Sequence, residues 1–297
     1  MPKHIYPRSR KRRLTKTKIN SKTILYIVVV LLVSVYVLRT HIKSEVTGVK
    51  TEEIVKQTNT FLEESGSMGE SRSDKWWLNS GGRVFIDGKS IKTILGRLPI
   101  DDKWRKEYGS SNPLDTDQGY HPQNIFRLVT RDEWQNLSQQ VYFQIKGDNL
   151  SKSPNRDRWS GIFLFNRYRD GNNLYYIGVR VDGAVVIKKK IDGVYYTLAY
   201  KKIYPGVFNR FNNPNLLPHG SWIGLKSEVK NTSASSILIK LYIDNERTGN
   251  WESVLEVIDR KGSYGENPIL QPGHAGVRTD FMDVEFDNYR IEELGSN

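Results

Sequence analysis

The chain of 297 residues contains no cysteine, which excludes disulfide bridges and thiolate ligands for a metal. It has five histidines, and no two of them are spaced as a metal-ligand pair, so the sequence does not predict a histidine-based transition-metal site. Without such cross-links, a folded domain must be held together by its hydrophobic core.

Acidic residues are absent from the first 22 residues, which carry nine of the lysines and arginines. Because the net charge of the whole chain is +12, the rest of the chain is close to neutral. A nucleic-acid-binding protein needs its cations on the folded surface that meets the phosphates. The charge distribution therefore argues against a nucleic-acid partner.

Long uncharged hydrophobic runs are also absent, except at residues 23–38. As a helix this run is about 24 Å long, and the flanking Lys22 and Arg39 can extend it toward the headgroups of a bilayer. The basic cluster before the run predicts a cytoplasmic N-terminus. We predict a cytoplasmic tail at residues 1–22, a single-pass signal anchor at residues 23–42 and an extracytoplasmic remainder. The alternative, a cleaved signal peptide, needs a small-residue cleavage site, which the sequence after Leu38 lacks.

Residues 43–73 are polar and rich in Glu, Ser, Thr and Gly, which predicts a linker, with a short amphipathic helix within residues 45–64. From residue 74 onward there is no helical periodicity and no internal repeat, and short apolar runs alternate with turn signals. This pattern is typical of a β-sandwich. We predict one all-β domain, a two-sheet antiparallel sandwich, over residues 74–297. The predicted strands are residues 83–86, 90–95, 124–130, 139–146, 159–169, 174–181, 184–191, 195–203, 221–229, 236–243, 253–259, 273–279 and 282–292.

The clearest hairpins lie in residues 159–191, where residues 170–173 (DGNN) and 182–183 (DG) predict two turns between three strands. Side chains alternate between the two faces of a strand, so each strand can be divided into an apolar and a polar face. The predicted apolar face contains Phe163, Phe165, Ile177, Val179, Val181, Val185 and Ile187. The predicted polar face contains Asn166, Tyr168, Tyr176, Arg180, Lys188 and Lys190.

Positive charge is concentrated around this polar face, because residues 152–202 contain eleven lysines and arginines and four acids. Tyrosines and Trp159 lie among these cations. Aromatic rings stack on the C–H faces of sugars, and Arg and Lys pair with carboxylate, sulfate or phosphate. The six residues of the polar face are therefore our candidate glycan-binding site, although an ordinary exposed sheet face has a similar composition.

The C-terminal segment has a more specific pattern, with GHAGVR at residues 273–278 followed by VEFDNYRI at residues 284–291 and preceded by SILIKLYID at residues 236–244. It resembles the closing strands of the concanavalin A-like lectin/glucanase superfamily, which includes laminin G-like and 3-keto-disaccharide hydrolase-like domains. The resemblance implies a jelly-roll sandwich with a concave groove, and carbohydrate as the commonest ligand. It also implies a structural Ca²⁺, with Asp287 as one ligand.

Two enzyme classes of this fold are alternatives to a binding module. The glucanases carry a Glu-x-Asp-x-x-Glu strand, whereas the acidic cluster here is Asp280, Asp283, Glu285 and Asp287, at a different spacing. A polysaccharide lyase needs an Arg, Asn or Gln beside the uronate carboxylate and a Tyr or His to move a proton. Such residue types are present, but Lys146 stands where the jelly-roll lyases carry a histidine. A laminin G-like protein-interaction module is the third alternative.

The sequence thus predicts a membrane-anchored, extracytoplasmic jelly roll that binds an anionic polysaccharide.

Overall fold

The structure, a computed structural model, describes residues 51–52, 57–265 and 267–295, with side chains from residue 61 onward. The predicted tail and signal anchor at residues 1–42 lie outside these residues. Among the described residues, no helix combines the length and apolar composition needed to traverse a bilayer.

The described residues form mostly β-structure. In chain order, the strands are β1 Thr51–Glu52, β2 Gln57–Glu63, β3 Trp76–Ser80, β4 Arg83–Gly88, β5 Ser90–Lys92, β6 Ile125–Trp134, β7 Leu137–Asp148, β8 Gly161–Asp170, β9 Asn173–Arg180, β10 Ala184–Ile191, β11 Val194–Lys202, β12 Ile223–Ser233, β13 Ser236–Asn245, β14 Glu252–Arg260, β15 Gly273–Asp280 and β16 Met282–Glu293. One α-helix, α1, spans Lys103–Ser111, and two short 3₁₀ helices span Met68–Glu70 and Pro122–Asn124.

The strands pair into two antiparallel sheets. The nine-stranded sheet has the order β14-β13-β12-β7-β16-β5-β4-β2, with β1 also paired to β16. The seven-stranded sheet has the order β11-β10-β9-β8-β15-β6-β3. The two-sheet antiparallel sandwich implied by the resemblance to the concanavalin A-like superfamily is therefore the observed fold.

The main core lies between the sheets and is built from alternating side chains. In β13, for example, Ile237, Ile239 and Leu241 are fully buried, whereas Lys240 and Tyr242 on the opposite face are only partly buried. Aromatic pairs join the sheets near the middle, including Phe126 with Phe286, whose ring centroids are 6.2 Å apart. Burial of this apolar surface stabilises the domain in the absence of disulfides.

Several elements differ from the prediction, including β3, which is not among the predicted strands. Strand β2 pairs with β4, so the sandwich includes residues that the sequence analysis assigned to the linker or to an amphipathic helix. The sequence predicted no helix in the domain, whereas the structure contains α1. This helix buries only Tyr108, so its sequence has no apolar stripe from which a helix could be predicted. The helix begins after Asp102, whose carboxylate accepts a hydrogen bond from the Trp104 amide at 2.8 Å.

Candidate functional site: a cationic cleft on the seven-stranded sheet

The outer face of the seven-stranded sheet carries a small apolar cluster of its own, opposite the main core. Its buried members are Val129, Phe163, Phe165, Tyr168, Leu174, Tyr176 and Val186. Met68 and Trp77 pack against the cluster from neighbouring segments. The middle strands of this sheet are therefore buried on both faces, which removes the polar–apolar alternation from their sequences.

Beside this cluster lies an open cleft of about 650 Å³. We call it the cationic cleft and define it by Arg127, Trp159, Tyr176, Lys188, Tyr195 and Arg278, which all line it. Asp115 and Asp280 also line the cleft. The Asp115 carboxylate already accepts hydrogen bonds from Ser153 Oγ at 2.5 Å and Asn155 Nδ2 at 2.9 Å, so it is held in place by neighbouring loops.

Two arginines face each other across neighbouring strands in the cleft. Arg127 in β6 and Arg278 in β15 are register partners. Like charges in this position destabilise a sheet. Arg278 donates a hydrogen bond from Nε to Asp280 Oδ1 at 2.7 Å, which offsets one of the two charges. Arg127 is half-buried and forms no side-chain hydrogen bond or ion pair with any residue that the structure describes.

Lys188 extends the positive charge toward β10, where it is the register partner of Tyr176 in β9. Its Nζ lies 5.3 Å from the ring centroid of Tyr195, and no described carboxylate pairs with it. The rings of Tyr176 and Tyr195 are stacked with centroids 6.0 Å apart. Trp159 is 55% exposed at the rim, so an aromatic surface and unpaired cations are available to the same ligand.

Two further residues of the predicted site adjoin the cleft, but their charges already have partners. Arg180 pairs with Asp182 at 2.5 Å and lies 5.1 Å from the ring centroid of Trp159. Lys190 donates a hydrogen bond to the Gly171 carbonyl at 2.8 Å and lies 4.8 Å from the ring centroid of Tyr195. Both side chains thus lie against aromatic rings of the cleft.

The prediction is wrong for Asn166 and incomplete for Tyr168. Asn166 is fully buried between the sheets, where its Oδ1 accepts hydrogen bonds from Gln139 at 2.9 Å and Ser227 at 3.1 Å. Phe163 and Phe165 lie instead on the outer face, so the predicted phase of β8 was reversed. Arg167 then adopts a left-handed φ of 50° within an irregular stretch of the β8–β9 pairing. Tyr168 consequently returns to the outer face, where it is buried against Phe165 and does not line the cleft.

The surroundings shift the titration of three cleft residues. Burial, followed by the charges of Arg180 and Arg278, lowers the pKa of Lys188. Burial raises the pKa of Tyr176 to about 12. Burial also acts to raise the pKa of Tyr195, but Arg278 and Lys190 outweigh it, and the net shift is downward. Two stacked phenols in one cleft therefore have pKa values displaced in opposite directions.

The acidic residues of β16 do not belong to this cleft. Asp283, Glu285 and Asp287 alternate with core residues and face away from the space between the sheets. Asp283 accepts hydrogen bonds from Gln123 and Asn149, both at 2.8 Å, and Glu285 pairs with Lys92 at 3.2 Å. These carboxylates thus have structural partners.

Asp287, the predicted calcium ligand, pairs with the Arg247 guanidinium at 2.5 Å. A cation already satisfies this carboxylate, and the described residues contain no group of three His, Asp or Glu side chains arranged around a common metal position. Asp287 therefore does not fit a calcium site.

The predicted site does not include Arg127 or Arg278, because all of its residues lie within residues 159–191. Both lie on strands that the sequence did predict. A usable signal was present in residues 273–278, where Arg278 follows the core residue Val277 and must face outward. The pairing of β15 with β6 and β8, which brings the two arginines together, was not part of the prediction.

The chain was compared with known proteins, and similar folds were found among solved structures. No family model and no curated protein matches the chain. The chain is similar to the carbohydrate-binding module CBM66 from Bacillus subtilis, with 16% identity over 57% of this chain and 82% of that one and a TM-score of 0.39. It is also similar to a β-glucanase from Bacillus licheniformis, with 10% identity over 81% and 100% of the two chains and a TM-score of 0.38. The same holds for LamAcat from Zobellia galactanivorans, with 10% identity over 82% and 96% of the two chains and a TM-score of 0.40.

Proposed function

We propose that this protein binds an anionic glycan in the cationic cleft, and that residues 23–42 anchor the domain in a membrane with the cleft outside the cytoplasm. The observation that carries the proposed ligand is the cross-strand pair of Arg127 and Arg278, of which only Arg278 has a carboxylate partner, Asp280, among the described residues. A half-buried guanidinium without a counter-ion costs stability, and a bound carboxylate or sulfate removes that cost.

The aromatic lining supports a glycan over a small inorganic anion. Trp159, Tyr176 and Tyr195 line the same cleft as the arginines. Flat aromatic surfaces pack against the C–H faces of sugar rings, while Arg127 and Lys188 are placed to meet acidic substituents. The ligand class that uses both features is a polysaccharide with uronate or sulfate groups.

The test compares matched acidic and neutral oligosaccharides on the detergent-solubilised full chain, with binding measured by titration calorimetry. Replacement of Arg127 by Gln removes the unpaired charge, and we expect binding of the acidic glycan to weaken about tenfold or more, the size of a lost charge-assisted hydrogen bond. The control is Arg260→Gln on the exposed edge strand β14, which should bind as the unmodified chain does. Equal binding of acidic and neutral glycans would overturn the proposal.

A second candidate function, elimination at a uronate, is favoured by the opposite pKa shifts of Tyr176 and Tyr195. A tyrosine whose pKa is lowered loses its own proton more readily, and the resulting phenolate can take the proton next to a carboxylate while a neighbouring arginine stabilises the charge that develops. The Tyr195 phenolate takes the proton on the carbon beside the carboxylate, that carbon forms a double bond to its ring neighbour as the neighbour's bond to the glycosidic oxygen breaks, and the leaving oxygen takes a proton from the Tyr176 hydroxyl. Opposed pKa values in one site are a recognised sign of acid–base roles.

Turnover distinguishes the two candidates. An eliminating enzyme releases unsaturated uronate, which absorbs ultraviolet light, from a panel of uronate polysaccharides. In that case Tyr195→Phe should abolish release and retain binding. Binding without any release would leave the protein as a binding module.

A further inference from the structure

A second cavity, of about 400 Å³, lies between α1 and residues 64–66. One face of the helix forms its wall, with Trp104, Glu107, Tyr108 and Ser111 at the helical spacings i, i+3, i+4 and i+7. Glu64 lines the opposite side. None of these residues belongs to the cationic cleft, and the cavity contrasts with the cleft in its charge.

The cavity wall combines aromatic rings with carboxylates. The rings of Trp104 and Tyr108 are tilted, with centroids 6.2 Å apart. Glu107 is exposed beside them, and its carboxylate has no ion pair or hydrogen bond among the described residues. Rings of this kind attract a positive charge over their faces, and carboxylates add to the attraction.

The chain itself places an ammonium group on this wall. Lys103 Nζ lies 5.0 Å from the ring centroid of Trp104 and pairs with the carboxylate of Glu63. This intramolecular contact uses one carboxylate, Glu63, and one ring. Glu64, Glu107 and the ring of Tyr108 remain for a second cation.

Glu64 is a partly buried carboxylate of the cavity that has hydrogen bonds but no counter-ion among the described residues. Its Oε2 accepts hydrogen bonds from the Tyr108 hydroxyl at 2.5 Å and the Gly82 amide at 2.8 Å, which fix its position. It has no ion pair with a described residue. Burial raises the pKa of Glu64, and the charge of Glu107 contributes in the same direction. A bound cation would relieve both unfavourable effects.

We propose that this cavity binds the ammonium group of an organic cation between Glu64, Glu107 and the ring of Tyr108. The cavity is large enough for an ammonium group together with the methyl groups or the sugar ring bonded to it. The proposal does not depend on the anionic-glycan site, because the two sites have no lining residue in common.

The test measures binding of two ammonium probes, choline and glucosamine, to the full chain in detergent. Each has a neutral partner of similar shape, 3,3-dimethylbutanol for choline and glucose for glucosamine. We expect saturable binding of at least one ammonium probe and none of its neutral partner. Choline alone would identify a quaternary ammonium site and glucosamine alone a primary amine site. Equal binding of probe and neutral partner, or no binding of either probe, would overturn the proposal.

Two variants assign the binding to this cavity. Glu64→Gln keeps the hydrogen-bond acceptor and removes the charge, so we expect binding to be lost. Glu107→Gln changes an exposed residue without a hydrogen-bonding role, so it should fold normally and weaken binding about two- to fivefold. Glu252→Gln, exposed in β14, is the matched control and should leave binding unchanged. If Glu107→Gln binds as tightly as the control does, the cavity is not the site.

Discussion

Lys188 is half-buried among other cations, and burial and the charges of Arg180 and Arg278 lower its pKa. A lysine with a lowered pKa loses its proton at a pH where an ordinary lysine is still charged. We therefore predict that affinity for an acidic glycan falls as pH rises through the Lys188 pKa, and that the fall begins below the titration range of an exposed lysine. Titration calorimetry across pH measures this profile.

Two variants separate the contributions to that profile. Lys188→Arg keeps its charge over the whole range, so the part of the fall that comes from Lys188 should disappear. Ionisation of Tyr195 acts in the same direction, because it adds a negative charge beside the ligand, and Tyr195→Phe removes this component. An unchanged profile in Lys188→Arg would contradict the assignment of the pH dependence to Lys188.

At the residue scale, the sequence predicted the neighbourhood of the site better than its members. Tyr176 and Lys188 line the cleft as expected, whereas Asn166 is buried between the sheets. The error has a physical cause: β8 is covered on both faces, so Phe163 and Leu164 are both apolar and the strand carries no phase signal. The net charge of residues 152–202 also overstates the positive charge of the surface, because Lys189 is fully buried and paired with Asp259.

Strands β9, β10 and β14 are joined by a buried ionic cluster. Lys189 Nζ lies 2.9 Å from Asp259 Oδ2, and both side chains are fully buried. The Tyr175 hydroxyl donates to the same carboxylate at 2.6 Å. Because β14 belongs to one sheet and β9 and β10 to the other, this cluster ties the two sheets together near their edges.

We predict that Lys189→Met lowers the free energy of unfolding by about 3–5 kcal/mol, because it leaves the Asp259 carboxylate buried without its cation. Denaturant unfolding of the variant measures the change. Lys201→Met, on the exposed edge strand β11, is the matched control and should alter stability little. The double variant Lys189→Met with Asp259→Leu should recover much of the loss, and failure to do so would mean that the cluster contributes more than its charge balance.

At the element scale, strands with β-type apolar runs and clear turn signals were predictable, including β8, β9 and β10, which are buried on both faces, whereas elements without such local signals were not. Strand β13 follows the alternation of its sequence and was predicted to within two residues. Strand β2 has a polar sequence and is held by its pairing with β4. The local sequence pattern of β2 does not predict this pairing. Helix α1 is too short and too polar to produce a helical moment, yet it forms one wall of the second cavity.

For the whole molecule, we predict that residues 1–42 attach the domain to a membrane. The full chain should remain in the membrane pellet after an alkaline wash, because a spanning helix is held by hydrocarbon and not by charge. A chain lacking residues 1–42 should appear in the soluble fraction. A variant with the lysines and arginines of residues 1–22 replaced by glutamine is the control, and it should stay in the pellet. Release of the full chain by the wash would contradict the anchor.

The central position of β15 and β16 has a consequence for how the protein is made. Strand β15 lies between β6 and β8, and β16 lies between β7 and β5, so the last strands of the chain fill the middle of both sheets. Ser90 in β5 hydrogen-bonds to Glu285 in β16, 195 residues later. Contacts of such long range form slowly, and a nascent chain that ends before residue 273 has two divided sheets with open edges. The domain must therefore complete its folding after translation has delivered these strands, and until then its unpaired strand edges are open to pairing with other chains.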